Sequence, residues 1–179
     1  MPLIHTERLD LVPGTEVALR AELVSRDALQ TALGVTVPAA WPPELFDASA
    51  VNDTLRWMSE HPSEHDWGFF YLVLREGNGA RTLVGTGGFR GAPDLHGRVE
   101  LGYALLPEFQ HCGYATETVN AWLVVAFRDP RVQAVTAQTL ASLTPSIRVL
   151  ERTGFTFAGV GTDTDIPEGE QVVRYERRR

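Results

Sequence analysis

Two hydrophobic periods divide this chain, alternation in some stretches and recurrence every three to four residues in others, and they predict strands and helices respectively. Leu9, Leu11 and Val12 surround Asp10 and stop at Pro13-Gly14, which predicts a short first strand. Thr15 is placed to cap a helix over residues 16–23, and residues 27–33 either prolong it or form a second helix ending at Gly34. Residues 35–43 read as a loop. Pro43 suits a first helical position, and Leu45, Phe46, Ala50, Leu55 and Met58 predict a third helix that stops before His61-Pro62.

The period changes at Trp67. Residues 67–74 are aromatic and β-branched, Glu76-Gly77-Asn78-Gly79 is a hairpin turn, and residues 82–89 resume a strand. After a turn at Gly91-Ala92-Pro93-Asp94, Val99, Leu101, Tyr103 and Leu105 alternate with Glu100, Gly102 and Ala104 until Pro107, and the mid-strand Gly102 predicts a bulge. Ala115, Val119, Trp122, Leu123, Ala126 and Phe127 form the apolar stripe of a helix that follows Gly113 and runs to about Arg128. Residues 132–140 predict another strand. Thr144-Pro145 supplies a cap and first residue for a short helix with Ile147 and Leu150 inward and Gly154 past its end, and residues 155–161 and 171–176 pair as a closing hairpin.

With 179 residues and 44% hydrophobic content, the expectation is one domain over residues 1–179 with an ordinary core. Cys112 stands alone, so no disulfide framework is expected, and Glu7, Arg8 and Asp10 interrupt any apolar leader, which together point to a cytoplasmic location. The longest apolar run, residues 121–127, is far short of the roughly 20 residues a membrane span needs. The formal charge of −7 has the wrong sign for nucleic acid and favours a cationic or neutral partner. Asp163, Asp165, Glu168 and Glu170 crowd one connection, which either attracts a cationic acceptor or is simply a charged hairpin tip, and Arg177 to Arg179 read as a solvated tail.

The informative segment is a strand, a short loop and a helix start, from Glu100 to Glu117. A helix N-terminus exposes unpaired N–H groups, and Gly113 permits a backbone turn that aims several of them at one anion, so a phosphate or pyrophosphate fits there. The Gly-Lys-Ser/Thr end of a nucleotide phosphate loop is absent, and Gly85-Thr86-Gly87-Gly88 is followed by Arg90 where a dinucleotide fingerprint needs its last glycine. His61, Glu64 and His65 have metal-like spacing, but Pro62 breaks the helix, so a solvated turn is expected and no metal. Cys112 lacks the surroundings of a nucleophile.

On these residues the chain resembles the GNAT superfamily of acetyl-coenzyme A-dependent N-acetyltransferases. The family's loop, Gln/Arg-x-x-Gly-x-Gly/Ala, reads here Gln110-His111-Cys112-Gly113-Tyr114-Ala115. The Glu100-Leu101-Gly102-Tyr103 strand, the Ala115-Thr116-Glu117 helix opening and the segment from Pro145 to Phe155 are similar to the branch that includes ribosomal-protein N-terminal acetyltransferases. The resemblance implies an α/β (α+β type) fold, a mixed, mostly antiparallel sheet whose central strands splay apart, flanked by helices. It also implies that the pantetheine arm of acetyl-coenzyme A enters the splay beside the backbone of Leu105 and Leu106, and that residues from Gln110 through Thr116 wrap the pyrophosphate. Direct attack of an amine on the thioester is then expected, with a backbone N–H polarising the carbonyl.

Two departures stand out. His111 and Cys112 occupy positions where this branch usually has a glycine and a basic residue, and Leu143 stands where it has an asparagine. A stiffer loop without its fixed positive charge, and weaker coenzyme binding, are the expectation. Glu100 is the candidate general base; its bland alternative is a half-exposed strand carboxylate paired with an arginine. Ser146 is the candidate hydrogen-bond donor to the leaving sulfur, although a serine in a first helical turn needs no special reason. The acceptor is a primary amine, either a protein N-terminus or a small molecule. A homodimer and a longer acyl chain stay open, as does a silent acyl-coenzyme A-binding domain without need of a base.

Overall fold

Among the described residues one strand pair runs parallel, and it determines the architecture, because parallel neighbours need a long crossover while antiparallel ones need only a turn. In the computed structural model, which describes residues 2–44, 46–77, 79–161 and 170–179, those neighbours are β5 (Arg98–Leu105) and β6 (Ala134–Leu140). The crossover is α4 (Tyr114–Ala126). Around this pair lie β1 (Ile4–His5), β2 (Leu9–Pro13), β3 (Phe69–Arg75), β4 (Arg81–Phe89), β7 (Thr156–Val160) and β8 (Val172–Arg178). They form one eight-stranded sheet in the order β1-β2-β3-β4-β5-β6-β8-β7. The mixed, mostly antiparallel sheet implied by the family resemblance is what the chain folds into.

Each face of the sheet has its own apolar layer. α4 and α5 (Thr144–Arg152) cover one, where fully buried Trp122 meets Phe70 and Phe89 over Leu9, Leu72 and Leu101. A side chain at Gly87 would run into the Gly102 carbonyl and the Trp122 ring, so a glycine there lets the indole lie on the sheet. Helices α1 (Glu16–Val24), α2 (Arg26–Leu33) and α3 (Ala48–Glu60) cover the β2–β4 half of the opposite face through Leu19, Leu29, Val51, Tyr71 and Val73. Trp41 and Phe46 pack there against Tyr71 and Phe69, as core aromatics do.

Local signals decide most boundaries. Thr15 accepts from the Ala18 N–H and caps α1, and Ser25 accepts from the Ala28 N–H, which makes residues 26–33 a separate helix closed by left-handed Gly34. The third helix begins at Ala48 instead of at Pro43, because Asp47 accepts from the Ser49 and Ala50 N–H groups and a side-chain cap outcompetes the proline signal. Trp67 belongs to a short 3₁₀ turn, so β3 starts later than its aromatic run suggests. The fifth helix includes Thr144 but takes no side-chain cap from it.

Two other expectations change. The register of β4 on β5 passes through Gly88↔Gly102 without a shift; the register shifts lie instead opposite Leu72/Val73 of β3, where β4 skips Val84, and between Phe157 and Gly159 on β7. Arg177 and Arg178 belong to β8 instead of a tail, and Arg179 donates to the carbonyls of Asp129 and Val132. His61 ends α3, with its ring stacked on Trp57, and Glu64 accepts from the Ala92 N–H, so these two residues serve a turn. Asp163, Asp165 and Glu168 lie outside the described residues, while Glu170 accepts from the Ser142 hydroxyl. Among the described residues no helix is long and apolar enough to cross a membrane.

Candidate active site

The site begins where β5 and β6 part. Their pairing ends at Leu101↔Ala137, yet β5 continues beside β4 as far as Leu105 and β6 continues beside β8 as far as Leu140. A wedge therefore opens between residues 102–105 and 138–140. Arg90 N–H donates to the Glu100 carbonyl, and Leu106 N–H donates to the Val84 carbonyl. Antiparallel bonding alternates, so Glu100, Gly102, Ala104 and Leu106 turn their backbone groups toward β4, and Tyr103 and Leu105 turn theirs toward the wedge. Leu105 therefore turns its N–H toward the wedge, while its carbonyl accepts from Gln110 Nε2. Leu106 turns its N–H away, to the Val84 carbonyl, and its carbonyl accepts from the Phe109 N–H. Alternation along the strand, applied to the right neighbour, would have picked Tyr103 instead.

The loop after β5 closes one end of the wedge. Gln110 Nε2 donates to the Leu105 carbonyl (3.2 Å), which ties the loop to the strand. His111 adopts φ 61° and Gly113 φ 84°, two left-handed residues bracketing Cys112; His111 is the one non-glycine residue with positive φ among those described. Such a turn gathers successive N–H groups on its concave side. Among the described residues no protein acceptor takes the N–H of His111, Cys112, Gly113, Tyr114, Ala115 or Thr116. The first intrahelical bond runs from the Glu117 N–H to the Gly113 carbonyl. The orphan donors of the helix start and the positive end of its dipole therefore converge, which suits a pyrophosphate.

One residue that the sequence did not single out stands at this loop. Arg8, in the turn between β1 and β2, donates from Nη1 to the Cys112 carbonyl (2.9 Å) and from Nε to Glu117 Oε2 (2.8 Å), and lies 4.5 Å over the Tyr114 ring. Glu117 Oε1 also accepts from the Thr6 hydroxyl and the Arg8 N–H. Burial pushes the Glu117 carboxyl up, but these donors outweigh it and hold the net value below the ordinary glutamate range. A separation of 109 residues between Arg8 and Glu117 hides this pairing from any local pattern.

Glu100 lies on the sheet face opposite α4, one position before the strands part. Its Oε1 is 3.4 Å from Arg90 Nη1, and its Oε2 accepts from Gln138 Nε2 (3.1 Å). The carboxylate is thus paired with an arginine, as the bland reading has it, but that arginine is 63% exposed and the contact is long. Ser146 sits in the first turn of α5, with its Oγ 3.3 Å from the hydroxyl of Tyr103, a phenol that burial pushes up in pKa. Tyr103 therefore contributes both a backbone edge and a hydroxyl to the wedge. Leu143, at the cap position of α5, offers no side-chain hydrogen bond.

Comparison with known proteins agrees with this geometry. Residues 17–156 match the acetyltransferase (GNAT) domain family. The chain is 25% identical over 129 residues to the uncharacterized N-acetyltransferase p20 of Bacillus licheniformis, covering 72% of this chain and 71% of that one. Among solved structures, a GNAT-family acetyltransferase from Bacillus anthracis superposes with a TM-score of 0.63 at 21% identity, covering 99% and 98% of the two chains. RimL, a ribosomal L7/L12 alpha-N-protein acetyltransferase solved in complex with coenzyme A, superposes at 0.67 with 15% identity and coverages of 99% and 98%. Since a family match over most of the chain coincides with a sheet that parts beside a loop of unclaimed N–H groups, this chain belongs to the GNAT acetyltransferase family and is an acetyl-coenzyme A-dependent acetyltransferase.

Proposed function

We propose that this protein moves the acetyl group of acetyl-coenzyme A onto a primary amine, a protein N-terminus or a small amine, by direct attack within a ternary complex. The observation that carries the reading is the arc of six unclaimed N–H groups at the end of the wedge, with Glu100 beside its opening. The coenzyme supplies an activated thioester and no other chemistry. Gln110, His111, Cys112, Gly113, Tyr114, Ala115 and Thr116 hold its pyrophosphate, mainly through the backbone. Leu105 and Tyr103 offer strand-like hydrogen bonds to the pantetheine arm.

Glu100 takes the proton that the attacking ammonium must lose, directly or through one water, and Arg90 and Gln138 keep the carboxylate aimed. The Tyr103 N–H faces the wedge and is placed to polarise the carbonyl as charge develops on its oxygen. Ser146, backed by the Tyr103 hydroxyl, donates a hydrogen bond to the departing sulfur. As the C–N bond forms the C–S bond breaks, and no side chain is acylated. A silent binding domain would have no use for a carboxylate at Glu100.

A panel of primary amines assayed by thiol release tests this reading. Turnover with at least one amine class, and no acetylated protein by mass spectrometry when acetyl-coenzyme A is supplied alone, are the expected results. Coenzyme binding with no amine accepted would favour the silent domain. A stable acetyl-protein that reacts on with amine would replace direct attack by a covalent route.

A further inference from the structure

The loop from Gln110 to Thr116 contains no lysine or arginine, and a pyrophosphate brought against backbone N–H groups alone would keep most of its charge uncompensated. The fold brings a cation there from the other end of the chain. Arg8 spends Nη1 on the Cys112 carbonyl and Nε on Glu117, which fixes the plane of the guanidinium. Its Nη2 donates to no acceptor among the described residues and lies 3.3 Å from where a side chain at Gly113 would begin. That edge of the guanidinium borders the left-handed turn whose N–H groups are unclaimed. The Arg8 side chain remains 41% exposed, so the charge has not been buried for the sake of Glu117. Gly113 is favoured by its positive φ, and a side chain there would also crowd Nη2.

We propose that Arg8 is the cation of the coenzyme site, locking the loop through Nη1 and Nε and presenting Nη2 to the pyrophosphate. The proposal rests on the assignment of residues 110–116 to acetyl-coenzyme A, and it places a binding residue ahead of the 17–156 segment that matches the family. It also reverses one consequence of the sequence: the basic residue missing at Cys112 is replaced from elsewhere in space, so coenzyme affinity need not be low.

Calorimetric titration with coenzyme A tests it in Arg8→Gln and Arg8→Lys. A charge-assisted hydrogen bond of this kind corresponds to about a 10- to 100-fold loss of affinity in Arg8→Gln, with Arg8→Lys in between. Between about 0.01 and 1 M salt the Debye length falls from about 30 to about 3 Å, so the unaltered protein should lose affinity more steeply than Arg8→Gln. A merely structural arginine would leave the salt slope unchanged. Should the variants fold poorly, the unaltered protein supplies its own test. Saturating coenzyme A should protect Arg8 from an arginine-directed dicarbonyl, while exposed Arg20 and Arg56 react as before. Dephospho-coenzyme A, which keeps the pyrophosphate and lacks the ribose phosphate, should protect equally. Equal labelling of Arg8 with and without coenzyme A, protection that needs the ribose phosphate, or wild-type affinity in Arg8→Gln overturns the proposal. A parallel Gly113→Val variant separates the two assignments: if it binds normally the loop itself is misassigned, and if it alone loses binding only the role of Arg8 falls.

Discussion

Glu117 and Glu100 stand on opposite sides of the sheet and are held in opposite ways. Glu117 is 13% exposed and accepts three hydrogen bonds between 2.5 and 2.8 Å, from the Thr6 hydroxyl, the Arg8 N–H and the Arg8 Nε. Glu100 is 24% exposed, with one amide donor at 3.1 Å and one guanidinium at 3.4 Å. A carboxylate wrapped in short bonds fixes the geometry around it and resists protonation. A carboxylate held by two long contacts can change partners, as an acid–base group must. The proposed function thus assigns the tightly held carboxylate to the coenzyme side and the loosely held one to proton transfer.

The sharpest way to break this contrast is Glu100→Gln, which should lower kcat by about 10²- to 10⁴-fold, the loss typical of a missing general base. Its melting temperature should stay within about 2 °C of the parent and its coenzyme affinity unchanged, because little packing depends on the carboxylate. Near-normal turnover would put the base elsewhere.

Gly113→Val comes next. Forcing a β-branched residue into the left-handed region costs about 1–3 kcal/mol, and the new side chain would press on Arg8, so coenzyme affinity should fall about 10- to 100-fold by calorimetry.

Glu117→Gln probes the rigid side. It should cost about 2 kcal/mol in urea denaturation at neutral pH, the worth of a charged hydrogen bond, and should depend on pH in a definite direction. The Glu117 pKa is depressed in the folded state, so its contribution is complete above the unfolded value of about 4.3 and disappears as pH falls through the lower folded value. The gap between parent and variant should therefore hold from about pH 7 to pH 5 and narrow below about pH 4. A gap independent of pH would mean that Glu117 acts through shape alone.

The smallest effect belongs to Arg90→Ala. An exposed ion pair contributes at most about 1 kcal/mol, so kcat should change by less than about fivefold with stability untouched. A larger loss, confined to KM for the amine, would show that Arg90 touches the acceptor.

Much of the fold was legible because its signals are short-range. Thr15, Gly34 and Gly113 each do in space what their neighbours in sequence predict, since a cap or a left-handed turn is decided within four residues. The third helix shows where such signals compete, with Asp47 overriding Pro43. The two-residue strand β1 left no readable period, although it helps place Arg8.

The sequence by itself determined the alternation that makes β5 a strand, the stripe that makes α4 a helix, and Gly113 between them, and hence a turn whose backbone N–H groups are left unclaimed. These depend on each residue's own conformational limits and on its nearest neighbours. Tertiary structure alone decided which strand edge faces the wedge, favouring Tyr103 over Leu106, and which charges meet. Arg8 reaches Glu117 and Arg90 reaches Glu100 because parallel pairing across α4 and antiparallel pairing across β4 bring distant segments into register. The physical reason is one of range: a hydrogen bond or ion pair is made between whichever groups the packed sheet brings within about 3 Å, and sequence distance does not enter that condition.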